Sequence, residues 1–192
     1  MEELILKMPE HLLSDDKLFE LCVANKELRI ERDEKSQLII MLLVGGTTGN
    51  INFRLTGIFG NWVEENSHLG YGFGSSAGFM LPDRSMRSPD VSFVRKHKWE
   101  ALTLDEQEKF APVCPDFVVE LRSKSDSISQ LKHKMTKWID NGCQLGWLID
   151  PIEKKSYIYR PNISVEEVIG FDKKLQGGNL LPGFELDLKR LG

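Results

Sequence analysis

The chain has 192 residues, with 25 Lys and Arg against 29 Asp and Glu, so its formal net charge is −4. Hydrophobic residues make up 41% and charged residues 28%, which is typical of a globular domain and excludes collagen, coiled coil and wholesale disorder. The acidic balance argues against a protein that coats DNA by bulk charge, although one local basic patch can still contact nucleic acid.

The sequence gives three indications of compartment. Cys22, Cys114 and Cys143 are far apart and fit no zinc spacing, which favours reduced structural thiols. The longest apolar run, Leu38 to Val44, is too short to span a bilayer. The N-terminal segment MEELILKMPE lacks the apolar core of a signal peptide. We therefore expect a cytoplasmic protein without a membrane partner.

The N-terminal part predicts a short lead-in followed by a β-hairpin. Residues 1–24 are polar with scattered apolar positions, which indicates one short helix before a main domain over residues 25–192. Leu28 to Arg32 and Gln37 to Val44 have the composition of strands. The polar residues Asp33 to Ser36 between them predict a turn.

The central part predicts a loop, a helix and a strand. Gly45 to Gly49 is glycine-rich and is expected to be a loop. Apolar residues then recur at helical spacing, namely Ile51, Leu55, Ile58, Phe59, Trp62 and Val63. Val91 to Arg95 has a strand composition and follows Ser88-Pro89-Asp90, and a helical turn is predicted over Leu104 to Phe110.

The C-terminal half predicts alternating strands and one clear helix. Phe117 to Leu121 is almost continuously apolar, as expected of a strand that is buried on both faces. Ser127 to Asp140 has helical spacing, and Ser127 with Gln130 has the spacing of a capping box. Further strands are predicted over Leu145 to Ile149, Ser156 to Tyr159 and Glu166 to Gly170. This order is typical of a small α/β domain with a mixed sheet.

Glu120 is an anomaly inside its apolar strand. A buried carboxylate is costly unless it is paired or binds a cation. Asp90 stands at the start of the preceding strand, so the two carboxylates can converge at one sheet edge if the strands are neighbours. Two carboxylates with a backbone carbonyl form an oxygen site suited to Mg²⁺. Asp116 is a poorer partner, because four residues of strand span about 13 Å.

Positive charge follows Glu120. Residues 122–137 contain one acid, Asp126, and several basic residues, namely Arg122, Lys124, Lys132, Lys134 and Lys137, with His133. Gln130, Lys134 and Lys137 are spaced to share one helix face. If that face meets the end of the Glu120 strand, a cation lies beside the metal, where it can orient water or offset developing charge on a phosphate.

These segments resemble one protein family. SPDVSFV (Ser88 to Val94), PDFVVELRSKSDS (Pro115 to Ser127) and KMTKWIDNGCQLGWLIDP (Lys134 to Pro151) are similar to the Uma2 family of restriction-endonuclease-like proteins, within the PD-(D/E)XK nuclease superfamily. The likeness extends to LRIERDEKSQLIIM (Leu28 to Met41) and LPGFELDL (Leu181 to Leu188). It implies a restriction-endonuclease-like mixed β-sheet flanked by helices, with an N-terminal β-hairpin extension.

The resemblance also implies site residues. Asp90 and Glu120 become the metal carboxylates, with the carbonyl of Leu121 as a further ligand of Mg²⁺ or Mn²⁺. The superfamily pattern has lysine where Arg122 stands, and the family resemblance moves that lysine to Lys134. Arginine keeps its proton, so Arg122 can stabilise charge but cannot act as a base. Glu31 corresponds to an acidic residue of the family and becomes a supporting residue, as does Gln130.

The resulting hypothesis is a metal-dependent endonuclease that cleaves DNA. DNA would approach the face of Arg122, Lys124, Lys132 and Lys137, and a homodimer is expected by analogy. One alternative is an inactive member of the fold that binds nucleic acid or protein, and another is a nuclease for RNA or branched DNA. Glu120 could instead be a structural carboxylate that is salt-bridged to Arg122 or Lys134, and Glu31 could lie on the wet face of an edge strand.

Overall fold

The computed structural model describes residues 4–7, 14–41 and 43–192. Leu12 and Leu13 of the predicted lead-in, and Leu42 of the second predicted strand, lie outside these residues. Within the described part of the chain, no helix is both long and apolar enough to cross a membrane.

The first half of the chain supplies a hairpin, one long helix and several short strands. In chain order its elements are β1 (Leu4–Lys7), α1 (Asp15–Ala24), β2 (Arg29–Arg32), β3 (Gln37–Met41), α2 (Gly46–Glu65), β4 (Gly70–Gly74), β5 (Phe79–Met80), β6 (Met86–Arg87) and β7 (Val91–Arg95).

The second half alternates strands with helices and then ends in short hairpins. Its elements are α3 (Lys96–Trp99), α4 (Leu104–Glu108), β8 (Phe117–Leu121), α5 (Ile128–Asp140), β9 (Leu145–Asp150), β10 (Lys155–Arg160), β11 (Ile163–Ile169), β12 (Lys174–Gln176) and β13 (Glu185–Asp187), followed by a 3₁₀ turn over Leu188–Leu191.

The main sheet has six strands in the order β11-β10-β9-β8-β7-β4. Strands β8 and β9 are parallel, as expected for a connection through helix α5, and the other neighbours are antiparallel. Helices α2 and α5 cover opposite faces of this sheet. The predicted mixed sheet flanked by helices is therefore confirmed.

Strand β8 is buried on both faces, and its side chains alternate between the two helices. Phe117 and Val119 belong to the core under α2, where Phe59 packs 5.5 Å from the ring of Phe117. Val118 belongs to the core under α5 with Trp138. Because strand side chains alternate with a period of two, Glu120 lies on the α5 face with Val118. The position of this carboxylate follows from strand geometry alone.

The second sheet has five strands in the order β1-β3-β2-β6-β5 and contains the predicted hairpin β2–β3. One face carries Ile30, Leu38 and Met86, which pack against Leu18 of α1. The other face carries Glu31, which pairs across the hairpin with Ile39. This second face looks toward the main sheet, so it brings an N-terminal carboxylate to the site. The proposed boundary between residues 24 and 25 stays a prediction.

Several predicted boundaries are wrong. The predicted loop at Gly45 to Gly49 is mostly helix, because α2 begins at Gly46 with Gly45 as its N-cap. Strand β3 ends at Met41 rather than Val44, and β11 begins at Ile163 rather than Glu166. Ser127 is the N-cap of α5 but makes no capping bond, since its hydroxyl lies 2.8 Å from that of Ser129. The predicted capping box is therefore absent.

Two glycines provide a matched test of this fold. A Cβ at Gly70 in β4 would collide with the carbonyl of Val94 and would lie 2.6 Å from the ring of Phe93, whereas one at Gly60 in α2 meets open space. We expect Gly70→Ala to lower the free energy of unfolding by about 1–3 kcal/mol through overpacking. Gly60→Ala should raise it by about 0.5–1 kcal/mol, since alanine favours helix. Urea denaturation followed by circular dichroism measures both, and equal effects would contradict the packing at β4.

Candidate functional site

Glu120 is buried and is held by two residues of α5. The residue is 3% exposed. Trp138 donates its indole N–H to Oε1 at 2.9 Å, and the Lys134 ammonium lies 2.9 Å from the same oxygen. Residues four apart share one helix face, so α5 presents both donors to β8. Of the two structural partners considered for Glu120, the structure selects Lys134 and not Arg122.

Asp90 is hydrogen-bonded to the end of β8, at the main-chain groups of the two residues that flank Glu120. Its main-chain N–H donates to the carbonyl of Val119 at 3.1 Å, and its Oδ2 accepts the N–H of Leu121 at 2.8 Å. Asn52 of α2 donates to Oδ1 at 2.8 Å. The pairing of β7 with β8 therefore brings Asp90 and Glu120 to one rim of the main sheet.

Glu31 adds a third buried carboxylate from the other sheet. It is 2% exposed and accepts bonds from Lys134 at 2.8 Å and from the N–H of Ser88 at 3.0 Å, and Arg87 lies 3.3 Å away. Strand β2 is internal to its sheet, so the alternative that Glu31 lies on the wet face of an edge strand is wrong. Lys134 thus joins the two sheets through their carboxylates.

These groups line one cavity of about 380 Å³. Its walls are the inner face of the five-stranded sheet, the end of β8 and the first turns of α5. The charged residues that line it include the carboxylates Glu31, Asp90 and Glu120 and the cations Arg29, Arg87 and Lys134. The size lies at the lower end of pockets that hold a small ligand.

The three carboxylates have different proton affinities. Burial raises the pKa of Glu120 to about 7 although Lys134 opposes it, and the negative charges of Asp90 and Glu31 add to the rise. Burial also raises the pKa of Asp90, against Arg29 and the Leu121 N–H. For Glu31, Lys134 and Arg87 outweigh burial and hold the pKa at about 2. The same carboxylates outweigh burial at Lys134 and raise its pKa, so it remains an ammonium.

The donor set fits a hard divalent cation. Within the described residues no group of three or more His, Cys, Asp or Glu is arranged to hold a metal ion. The ligand set predicted from the sequence is Asp90 and Glu120 with the carbonyl of Leu121, and all three residues line the cavity. All of these donors are oxygens, which Mg²⁺ and Mn²⁺ prefer. Burial and then the neighbouring charges of Asp90 and Glu31 raise the pKa of Glu120, and an added positive charge would oppose both effects.

Some of the remaining predicted residues lie at or near this cavity, and others do not line it. Gln130 lines it with Lys134. Lys137 lies 3.7 Å from Glu34, which also lines it, and Lys124 is exposed on the loop before α5. Arg122 instead pairs with Asp150 at 2.6 Å, and Lys132 lies 4.0 Å above the ring of Tyr157. Neither Arg122 nor Lys132 is among the residues that line the cavity.

Asp116 does not join the site. It lies just before β8, where it accepts the N–H of Arg95 at 2.9 Å and pairs with Lys98 at 2.9 Å. It is absent from the cavity lining. The prediction that Asp116 is a poorer partner for Glu120 than Asp90 is therefore confirmed.

Four residues of the site were not predicted from the sequence. Asn52, Arg29 and Arg87 reach it from α2, β2 and β6, and Trp138 reaches it from α5. Trp138 alone had a findable cue, since it stands four residues after Lys134 on the predicted helix.

The chain is similar to a protein family and to a solved structure. The family model Uma2, described as "Putative restriction endonuclease", matches residues 15–189. A crystal structure described as a putative nuclease belonging to DUF820 from Anabaena variabilis ATCC 29413 superposes with a TM-score of 0.72. The two chains are 22% identical, and the match covers 86% of this chain and 90% of that one. No curated protein matches the chain.

The pKa of Glu120 predicts a pH-dependent stability. A carboxyl whose pKa rises from 4.5 in the unfolded chain to about 7 in the native protein binds its proton more tightly when folded. This contribution is complete below pH 4.5 and is lost as the pH rises through 7. We expect the wild type to lose on the order of 3 kcal/mol relative to Glu120→Gln between pH 4.5 and 7.

Chemical denaturation in EDTA at several pH values measures this loss. Glu64→Gln, at an exposed position of α2, is the matched control and should follow the wild type. A constant difference between the wild type and Glu120→Gln across this window would show that burial does not raise the pKa.

Asn52 predicts a second measurable effect, on Asp90. Thr56 donates to the Asn52 carbonyl oxygen at 3.2 Å, so the amide turns its NH₂ toward Asp90. Asn52→Ala leaves a buried carboxylate oxygen short of a donor, which should cost about 1–3 kcal/mol of stability. Asn50→Ala, an exposed position two residues earlier in α2, has the same helix propensity change and should be neutral or slightly stabilising. Equal unfolding free energies for the two variants would contradict this role.

Proposed function

The chain belongs to the Uma2 family, and from this premise we propose that it is a metal-dependent endonuclease that hydrolyses DNA phosphodiester bonds. The observation that carries the proposal is the convergence of Asp90 and Glu120 on one cavity beside the Lys134 ammonium. Two carboxylates and a cation at one rim are the parts that phosphodiester hydrolysis requires.

Asp90, Glu120 and the main-chain carbonyl of Leu121 would hold Mg²⁺ or Mn²⁺. When bound, such an ion polarises the phosphodiester and lowers the pKa of a water. Asn52 and the Leu121 N–H hold the Asp90 carboxylate in place, and Trp138 does the same for Glu120. The chain thus orients both carboxylates before any substrate arrives, which lowers the cost of organising the site.

Lys134 supplies positive charge at the cavity. Its ammonium is kept protonated by Glu31 and Glu120, so it stabilises negative charge that develops on the phosphate rather than accepting a proton. Glu31 fixes the ammonium from the opposite sheet at 2.8 Å. Gln130, one turn before Lys134, lines the cavity and would contact the attacking water or the substrate.

Contacts to the DNA backbone would come from the surface around α5 and the loop before it. Lys124 is exposed. Lys137 lies near the cavity, because its ammonium is close to Glu34, which lines it. Arg122 and Lys132 would contribute by long-range attraction, since their head groups already have partners. A homodimer would place one site on each strand of a duplex.

Divalent-ion-dependent nicking of plasmid DNA tests the proposal. Asp90→Asn and Glu120→Gln should each lower the rate about 100-fold or more, because each removes a charged oxygen from the site. Lys134→Met should also lower it, with partial recovery in Lys134→Arg, which keeps the charge. Glu185→Gln, at an exposed position of β13, is the control and should cut as the wild type does.

Binding of the metal separates the main alternatives. Calorimetric titration of the wild type with Mn²⁺ should show one site that Asp90→Asn abolishes. Cutting that survives both carboxylate substitutions would contradict the site. Absence of both cutting and metal binding in the wild type would instead support an inactive member of the fold that binds nucleic acid or protein.

A further inference from the structure

We propose that the substrate reaches this site as an unpaired strand, with one base lying against an apolar wall of the cavity. The inference rests on the proposed nuclease function and adds the substrate class. We define the apolar wall as Ile5, Ile39, Met41 and Val44, all of which line the cavity.

Strand register places most of this wall on the same sheet face as the charged site. Ile39 pairs with Glu31 and with Ile5, and Met41 pairs with Arg29. Directly paired residues share a face, so the apolar surface adjoins Glu31 and Arg29 on the same face of the sheet. On the opposite face of the sheet, Ile30, Leu38 and Met86 pack on α1.

The wall is not covered within the described residues. Ile5 is 45% exposed and Val44 49% exposed. A sheet face that is apolar yet open, and continuous with a charged cavity, is suited to a ligand with the same two characters. A nucleotide has them, since its base is apolar on both faces and its phosphate is an anion.

The facing side of the cavity supplies polar partners. Ser123, Ser125, Ser127 and Ser129 line it along the loop into α5, and their hydroxyls pair with one another at 2.8–2.9 Å. Hydroxyls both donate and accept, so they can bond the polar edge of any base. A base between the wall and this serine row would leave its phosphate toward Arg29 and Lys134.

Burial and volume argue against an intact duplex. Glu120 is 3% and Asp90 8% exposed, and both line a cavity that the five-stranded sheet and α5 border, so a phosphate would have to enter this cavity to reach them. The cavity of about 380 Å³ has the size class of a single small ligand, not of stacked base pairs. Extruding a nucleotide from a duplex costs a few kcal/mol, and an unpaired strand avoids this cost.

Three substrates of one sequence test the inference: a single strand, the matched duplex and a duplex with a central unpaired bubble. We expect the single strand and the bubble to be cut at least about 10-fold faster than the matched duplex. The double variant Ile39→Thr with Met41→Thr should lose this preference while Mn²⁺ binding is unchanged. Ile169→Thr, on the exposed edge strand β11, is the control and should keep it.

Binding measured apart from cutting distinguishes the two proposals. Fluorescence anisotropy with labelled strands, and Ca²⁺ in place of Mg²⁺, should show tighter binding of the single strand than of the duplex, weakened by the wall variant. If duplex and single strand are cut and bound equally well, the inference is wrong and the nuclease function stands. If nothing is cut but this binding preference is found, the proposed function fails and the wall is a binding site.

Discussion

The Lys134 ammonium, shared between Glu31 and Glu120, is the interaction on which the site depends. It lies 2.8 Å from one carboxylate and 2.9 Å from the other, and the two belong to different sheets. Buried charges persist only when they are paired, and removal of one partner commonly costs 3–5 kcal/mol. The packing of the five-stranded sheet over the main sheet is therefore coupled to the charge state of the cavity.

One cation serves two carboxylates whose other surroundings differ, and this difference sets their proton affinities. Glu31 also has Arg87 and the Ser88 N–H, so its pKa is held at about 2. For Glu120, burial and the repulsion of two neighbouring carboxylates outweigh Lys134 and the neutral indole of Trp138, so its pKa rises to about 7. Glu31 is thus a fixed anion that anchors Lys134. Glu120 is a buried carboxylate with one cationic partner, and an added cation would favour its ionised form.

The sequence predicted the parts of the site that lie on regular elements. Glu120 was conspicuous because strand β8 was otherwise apolar, and strands β7 and β8 were placed correctly. Asn52 and Arg87 were not foreseen, since their partners lie 38 and 56 residues away and no periodic pattern marks such contacts. The glycine-rich start of α2 was expected to be a loop, but packing of the apolar face of this helix outweighs its weak intrinsic propensity.

The arginine at position 122 explains why the cation beside Glu120 comes from a helix. Strand β8 ends at Leu121, and the Arg122 N–H continues the ladder by donating to the carbonyl of Ile149 at 2.9 Å. Its guanidinium is bound to the buried Asp150 at the end of β9, so it braces the two parallel strands. A side chain committed to this brace is not available to the cavity. Helix α5 meets the need instead, because its spacing of four aims Lys134 and Trp138 at the same carboxylate.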